Sequence, residues 1–464
     1  MSTRARMVGG RASLAVAVAF GVAGCNWTKF ADEAEKAPVR SISAPSGFDS
    51  SDFGKSILPL SSGQGSAAAF VATSINESHM VLVKIAPDGK VSSSTVTSSQ
   101  LVETSESPIT SLAEVPGSSP TQLLLGTPIV KNQNFGQTYT LDVPDPIAVA
   151  RKIYAPPLSS MTSGMARGLA AGYVAGGAAA DYIVGSDDAL AVMVDGPSLP
   201  GMPAVVAQEP VGACEVAYDN LQENRYLTRR PILAAPLWKD PSATSPDQIV
   251  LGITRSSGMP GKVEFLNVTP AGTFNCLAVH TPATAKPQFG HALATGDFDG
   301  NGKLDLLVGA PPLQAFVYLN FADQPLGTVP APIEISMSGP GVVDFGYAVA
   351  ALNVDDGADE ILISDPRATV GGQTGAGHVL VYHFDPTSGT VGSPTEIADL
   401  APEANASFGY TVNALPFCNG ECSSAAPPTT RVLLVGAANE VFLYYRLGDN
   451  IPIRMDGTKD VRSL

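Results

Sequence analysis

Histidine is scarce in this chain, with five in 464 residues, and charged side chains make up only 15%. So few imidazoles leave little material for acid–base catalysis near neutral pH. No Gly-x-Ser-x-Gly elbow stands in a strand–turn–helix context, so the nucleophile mark of an α/β-hydrolase is missing. Basic residues number 27 against 43 acidic ones, a formal charge of −16, and no Lys/Arg patch is dense enough to track phosphates. Nucleic acid is therefore excluded as a partner. Beyond the amino terminus no apolar run is long enough to span a bilayer. The Ala/Gly-rich stretch from Met165 to Ala180 is interrupted by Arg167, Gly168, Gly172, Gly176 and Gly177, which argues against a membrane helix.

What the chain has in quantity is glycine (46), proline (38) and apolar residues (44%). This composition suits many short strands joined by turns better than long surface helices. Length alone suggests about three domains, but a repeat architecture overrides that estimate.

The amino terminus reads as an export signal. Arg4, Arg6 and Arg11 form a positive region, and Leu14 to Val22 is an apolar run too short for a finished transmembrane helix. It ends in Val22-Ala23-Gly24-Cys25, which resembles a bacterial lipobox. The resemblance implies that residues 1–24 are removed and that Cys25 carries lipid as the mature first residue. Several acyl chains together anchor durably where one binds only marginally. The expected location is the cell envelope, at the outer membrane, with residues 25–37 as a polar tether.

Export makes the other four cysteines candidates for disulfides. Cys418 and Cys422 flank an Asn-Gly turn, so local closure is easy, and Cys214 and Cys276 then remain for each other. Zinc thiolates compete with this reading poorly, because neither pair has a third and fourth soft ligand.

The most telling stretch is Asp297-Phe298-Asp299-Gly300-Asn301-Gly302-Lys303-Leu304-Asp305. Asp297, Asp299, Asn301 and Asp305 offer side-chain oxygens, and Lys303 offers its backbone carbonyl. Glycines stand where a tight loop needs relaxed backbone angles. Oxygen donors in a flexible loop suit Ca2+. An EF-hand is ruled out, because strand residues Leu306-Leu307-Val308 follow at once and no glutamate closes the loop. With Phe289-Gly290 before the loop and Gly309-Ala310-Pro311 after it, the segment resembles the FG-GAP repeat of integrin α-subunit propellers.

The element recurs. Phe345-Gly346-Tyr347 leads to Asn353, Asp355 and Asp356 and then to Ile361-Leu362-Ile363. Phe408-Gly409-Tyr410 leads through the cysteine loop to Val432-Leu433-Leu434-Val435-Gly436-Ala437. Weaker copies place repeat starts near residues 53, 108, 165, 229, 289, 345 and 408, roughly 55–64 residues apart, the length of a four-stranded blade with its loops. The expected fold is all-β, a seven-bladed β-propeller of four-stranded antiparallel blades over 38–456, with 457–464 as a tail. Val39 to Pro45 resembles the outer strand before the sixth repeat, so it is expected to complete blade 7; Ile451 to Met455 competes for that place.

Blade 5 is expected to hold calcium through Asp297, Asp299, Asn301, Lys303 and Asp305. Blade 6, whose loop is one residue short, would use Asn353, Asp355 and Asp356. These sites read as structural, since each set comes from one hairpin with no activating base nearby. Phe53, Phe289, Phe345 and Phe408 read as packing wedges between blades. His291 reads as structural although it could face the axis, and His378 and His383 point to opposite faces of their strand. The expected function is non-catalytic binding of a protein or glycan by loops on one face; Gly212 to Arg230, with Cys214, Tyr218 and Tyr226, is a candidate contact region, against the competing reading of an outer strand and its connection to the next blade. A propeller hydrolase or lyase with an axial site is the alternative. No ligand role follows from the fold resemblance itself.

Overall fold

Leu306, Leu307 and Val308 are consecutive, apolar and fully buried. Successive strand side chains leave on opposite faces, so such a run demands apolar cover on both sides. The computed structural model meets that demand by stacking sheets around an axis. It describes residues 39–44, 53–61, 66–73, 80–86, 90–96, 109, 111–127, 137–143, 151–154, 168–185, 190–193, 205–208, 214, 231–238, 246–254, 260–269, 273–285, 288–353, 357–399, 401–417 and 430–444.

Strand β1 (Val39–Ser43) comes first in the chain. Blade 1 is β2 (Ile57–Pro59), β3 (Ala68–Thr73), β4 (Met80–Ile85) and β5 (Val91–Val96). Blade 2 is β6 (Ser111–Val115), β7 (Gln122–Thr127), β8 (Gln137–Asp142) and β9 (Arg151–Tyr154). Blade 3 is β10 (Gly168–Gly172), β11 (Asp181–Gly185), β12 (Leu190–Met193) and β13 (Val205–Gln208). Blade 4 is β14 (Ile232–Ala235), β15 (Gln248–Ile253), β16 (Lys262–Val268) and β17 (Phe274–His280).

Blade 5 is β18 (Ala292–Gly296), β19 (Asp305–Ala310), β20 (Gln314–Tyr318) and β21 (Ile333–Ser336). Blade 6 is β22 (Val349–Leu352), β23 (Glu360–Asp365) and β24 (His378–Tyr382), then a small hairpin of β25 (Phe384–Asp385) and β26 (Thr390–Val391), then β27 (Thr395–Ala398). Blade 7 is β28 (Thr411–Phe417), β29 (Thr430–Gly436) and β30 (Glu440–Tyr444), and its fourth strand is β1.

The ring therefore closes with the first strand of the chain. Val39 pairs with Tyr444 and Ser43 with Glu440, antiparallel. The competing stretch Ile451 to Met455 lies outside the described residues. Closure covers the free edge that β30 would otherwise present.

There is no single core. Seven apolar clusters occur among the described residues, one at each junction between neighbouring blades, including blade 7 against blade 1. Leu306 and Val308 face blade 4, while Leu307 faces blade 6. Phe53, Phe289, Phe345 and Phe408 are each fully buried in one of these junctions. Phe289 meets Phe316 edge-on at 5.3 Å, and Phe408 meets Phe442 at 5.1 Å.

The two glycines of the repeat have a shared reason. A Cβ on Gly309, in the second strand of blade 5, would lie 2.2 Å from the carbonyl oxygen of Gly346, which follows Phe345 in blade 6. Gly436 and Gly54 approach in the same way across the closing junction, at 1.9 Å. Blades pack this closely only where neither backbone carries a side chain. No described helix is long and apolar enough to cross a membrane.

Candidate functional site

The hairpin between β18 and β19 gathers the acidic residues. Carboxylate oxygens of Asp297, Asp299 and Asp305 lie within 4.8 Å of one another. Gly300 and Gly302 take φ of +73° and +79°, the left-handed region that lets the loop fold back. Asp297 accepts the backbone N–H groups of Asn301 (2.9 Å) and Gly302 (2.7 Å), and Asn301 Oδ1 accepts that of Lys303 (2.8 Å). Asn301 Nδ2 donates to Asp299 and to Asn320. The Lys303 ammonium pairs with Asp323 outside the cage.

Asp305 is the buried member. It accepts from the N–H of Phe298 at 3.0 Å and of Asn320 at 2.8 Å. Burial pushes its carboxyl up to about 7, and the charges of Asp299 and Asp297 push the same way against those two hydrogen bonds. Three crowded carboxylates, one of them resisting ionisation, form a donor set that a hard divalent cation would relieve. The residues fit calcium.

Blade 3 supplies an internal comparison. Its hairpin from Gly172 to Asp181 has the same length as that from Gly296 to Asp305, but Tyr173, Ala175 and Gly177 replace Asp297, Asp299 and Asn301. Gly176 keeps a φ of +79°, Val174 is buried as Phe298 is, and buried Asp181 accepts the Ala175 N–H at 2.7 Å. The hairpin thus folds without counterparts of Asp297, Asp299 and Asn301. The additional oxygens of blade 5 are surplus to folding.

In blade 6, Asn353 Nδ2 donates to the Gly357 carbonyl at 2.7 Å, while Asp355 and Asp356 lie outside the described residues. So do Cys25, Cys418, Cys422, Tyr218 and Tyr226. Cys214 and Cys276 are joined by a disulfide that ties the connection before blade 4 to its outer strand β17.

A second feature lies on the axis. A cavity of about 280 Å³ is lined where the inner strands begin, by Ser56, Ser111, Gly168, Pro231, His291, Tyr347 and Tyr410 among others, so every blade contributes. Three of these directly follow a Phe-Gly pair. The His291 and Tyr347 rings lie 4.7 Å apart between centroids, and those of Tyr347 and Tyr410 5.1 Å apart. Lys55, which follows Phe53-Gly54, holds its ammonium 5.8 Å from the Tyr410 ring centroid. Blades 5, 6, 7 and 1 thus carry a continuous arc His–Tyr–Tyr–Lys. His291 Nδ1 lies 2.9 Å from the Tyr347 carbonyl oxygen, to which it can only donate. No carboxylate lines this cavity among the described residues.

Sequence reasoning placed the acidic hairpin but missed this arc and two inter-blade clamps, Asp359 on the backbone of Asp297 and Asp247 on that of Tyr173. The signal for the arc was present, as the residue after each Phe-Gly.

Residues 289–319 match the FG-GAP repeat family. Integrin alpha-IIb of Homo sapiens is 30% identical over 138 residues, 27% of this chain, and the matched part spans 13% of that relative's length. The matched repeat runs from the Phe-Gly pair through the acidic hairpin to the end of β20, so the family's motif and the described geometry coincide. The chain is a seven-bladed β-propeller that carries an FG-GAP repeat in its fifth blade.

Proposed function

We propose that this chain is a lipid-anchored, calcium-stabilised binding propeller of the cell envelope, presenting one face of its ring to a protein or glycan. The observation that carries the reading is the construction of the axial end where the inner strands start. All seven blades converge there on one cavity, walled on the side of blades 5 to 7 by the His291, Tyr347 and Tyr410 rings, the kind of concave surface that takes a ligand. Calcium, held by Asp297, Asp299, Asn301, Asp305 and the Lys303 carbonyl, would pin a hairpin at the opposite end of the inner strand and take no part in chemistry. Asn353, Asp355 and Asp356 would form a second such site in blade 6. Cys25 would hold the mature chain to the outer membrane through a tether ending near residue 37. The Cys214–Cys276 disulfide supports an oxidising compartment. The likeness to an integrin α-subunit supports adhesion-type binding as a class, without naming a ligand.

One observation favours the second reading, a propeller hydrolase or lyase. His291 and two tyrosines converge on the axial cavity. The lack of a lining carboxylate among the described residues argues for binding instead.

Affinity capture tests the proposal. Purified full-length protein should retain a defined protein or glycan from its native envelope in calcium, and retain less in chelator. Turnover of an envelope glycan that disappears in His291→Ala would transfer the case to the enzyme.

A further inference from the structure

We infer that Asn301 is a site of spontaneous deamidation, open while the acidic hairpin lacks its metal and closed when calcium is held. This rests on the calcium reading proposed above and concerns one of the ligands it names. Asn301 is followed by Gly302, and among the described residues no other asparagine precedes a glycine. Both residues are exposed, and a Cβ at Gly302 would meet nothing within 4 Å. Neither a side chain of its own nor a neighbouring atom therefore crowds the Gly302 backbone on that side. Elsewhere the following residue is bulkier, as with Phe321 after Asn320 and Ala406 after Asn405.

The hairpin folds the asparagine back over the next peptide. Asn301 Oδ1 accepts the N–H of Lys303 at 2.8 Å. Such an Asx turn lays the side-chain carbonyl alongside the intervening peptide unit, here that of Gly302. The other end of the amide fixes its orientation, since Nδ2 donates to Asp299 at 3.1 Å and to Asn320 at 2.8 Å. The Lys303 N–H also polarises the carbonyl that is to be attacked.

From this arrangement the Gly302 nitrogen attacks Asn301 Cγ, forming an N–Cγ bond in a cyclic succinimide. The Cγ–Nδ2 bond breaks, and Nδ2 leaves as ammonia with the proton that the Gly302 nitrogen gives up. Water, the only co-reactant, then opens the ring. Cleavage at Cγ leaves aspartate at position 301, whereas cleavage at the main-chain carbonyl leaves isoaspartate, with an extra methylene in the backbone. Calcium would close this route by holding the Asn301 side-chain oxygen, which keeps Cγ away from the nitrogen. Aspartate at position 301 would add a carboxylate to three that already lie within 4.8 Å of one another. Ligand charge sets calcium affinity in oxygen-donor loops, and like charges repel where no cation is present. The deamidated hairpin is thus tighter for calcium and weaker without it.

The full chain in detergent, incubated in mildly alkaline buffer with either calcium or chelator, provides the test. Peptide mass spectrometry reads position 301 separately from Asn419, and isoaspartyl methyltransferase labelling separates the two products. A synthetic peptide of residues 297–305 gives the rate of the same Asn-Gly bond without the fold. In chelator Asn301 should convert on the timescale of the peptide, while Asn320 and Asn405 stay intact. With calcium at a hundredfold excess over Kd, conversion should slow about a hundredfold, because only the metal-free fraction reacts. Asn301→Asp should melt below wild type in chelator and gain a larger rise from calcium. An Asn301 that stays intact in chelator while the peptide converts overturns the inference and leaves the calcium reading standing. So does equal conversion in calcium and in chelator when calcium still raises the melting temperature. Equal conversion with no effect of calcium on melting sinks both.

Discussion

The backbone N–H of Asp359 donates to the Asp297 carbonyl at 2.7 Å, and the Asp297 N–H donates to the Asp359 carboxylate at 2.9 Å. Blade 6 thereby grips the first residue of the acidic hairpin in blade 5. The same reciprocal pair joins blades 3 and 4, where Asp247 N–H donates to the Tyr173 carbonyl at 3.1 Å and Tyr173 N–H to the Asp247 carboxylate at 2.9 Å. In both cases the aspartate stands one residue before the second strand of its blade. A Cβ at Gly296 or Gly172 would crowd that carboxylate, at 2.9 and 3.0 Å.

Asp359→Ala should therefore cost about 1–3 kcal/mol, the penalty for a part-buried N–H losing a charged acceptor. Asp247→Ala should cost a similar amount although its hairpin lacks the acidic set. Chemical denaturation of the two variants in chelator checks this. A loss in Asp359→Ala alone would mean that the carboxylate serves the acidic hairpin and not the junction.

Ring closure gives a second prediction. Deleting residues 39–43 removes the outer strand of blade 7 and uncovers the β30 edge. The shortened chain should melt several degrees lower and associate at its open edge, as followed by calorimetry and light scattering. Unchanged melting would mean that another segment completes the blade.

Acid stability gives a third. His378 donates to Glu396 at 2.7 Å across β24 and β27, and this hydrogen bond holds the Glu396 carboxyl below its ordinary 4.5. A depressed carboxyl adds stability that is fully present above its unfolded value and is lost as pH falls through the folded one. Glu396 is 43% exposed, so the effect is screened and on the order of 1 kcal/mol or less. Glu396→Gln should flatten the stability profile below about pH 4.5 and leave it parallel to wild type above pH 6. An unchanged acid limb would remove this pair from the account.

The lipid anchor gives a fourth. Cys25→Ser should release the chain from membranes in soluble form, with mass spectrometry of wild type finding acyl chains on residue 25. An unmodified residue 25, or a mature chain beginning elsewhere, would refute the anchor.

The parts of this fold that were legible in the sequence are those in which one short segment carries the information. Phe289-Gly290, the acidic hairpin and Gly309-Ala310 are contiguous, and they specify a strand, a tight loop and a strand. Blade number followed from the spacing of such segments. In blade 1 only the opening Phe53-Gly54 was visible; the outer strand Val91–Val96 is half serine, and its serines are all exposed, so it lacks an apolar signature. The β25–β26 hairpin, two residues on each side, is too short for any periodicity. The Asp359–Asp297 clamp left no local signal, and the arc from His291 to Lys55 showed its members, the residue after each Phe-Gly, without showing that they meet. Their members lie tens or hundreds of residues apart, and only ring closure brings Lys55 beside Tyr410.

The most direct test of the account is thermal unfolding of wild type and Asp299→Ala, each with calcium and with chelator. Calcium bound only by the folded hairpin stabilises by mass action, by about 2.7 kcal/mol at a hundredfold excess over Kd. The wild-type melting temperature should rise by several degrees, and Asp299→Ala should lose most of that rise while melting like wild type in chelator, because blade 3 builds the same hairpin with Ala175 in the place of Asp299. An equal calcium shift in both proteins, or none in wild type, would contradict a calcium-stabilised propeller centred on residues 297–305.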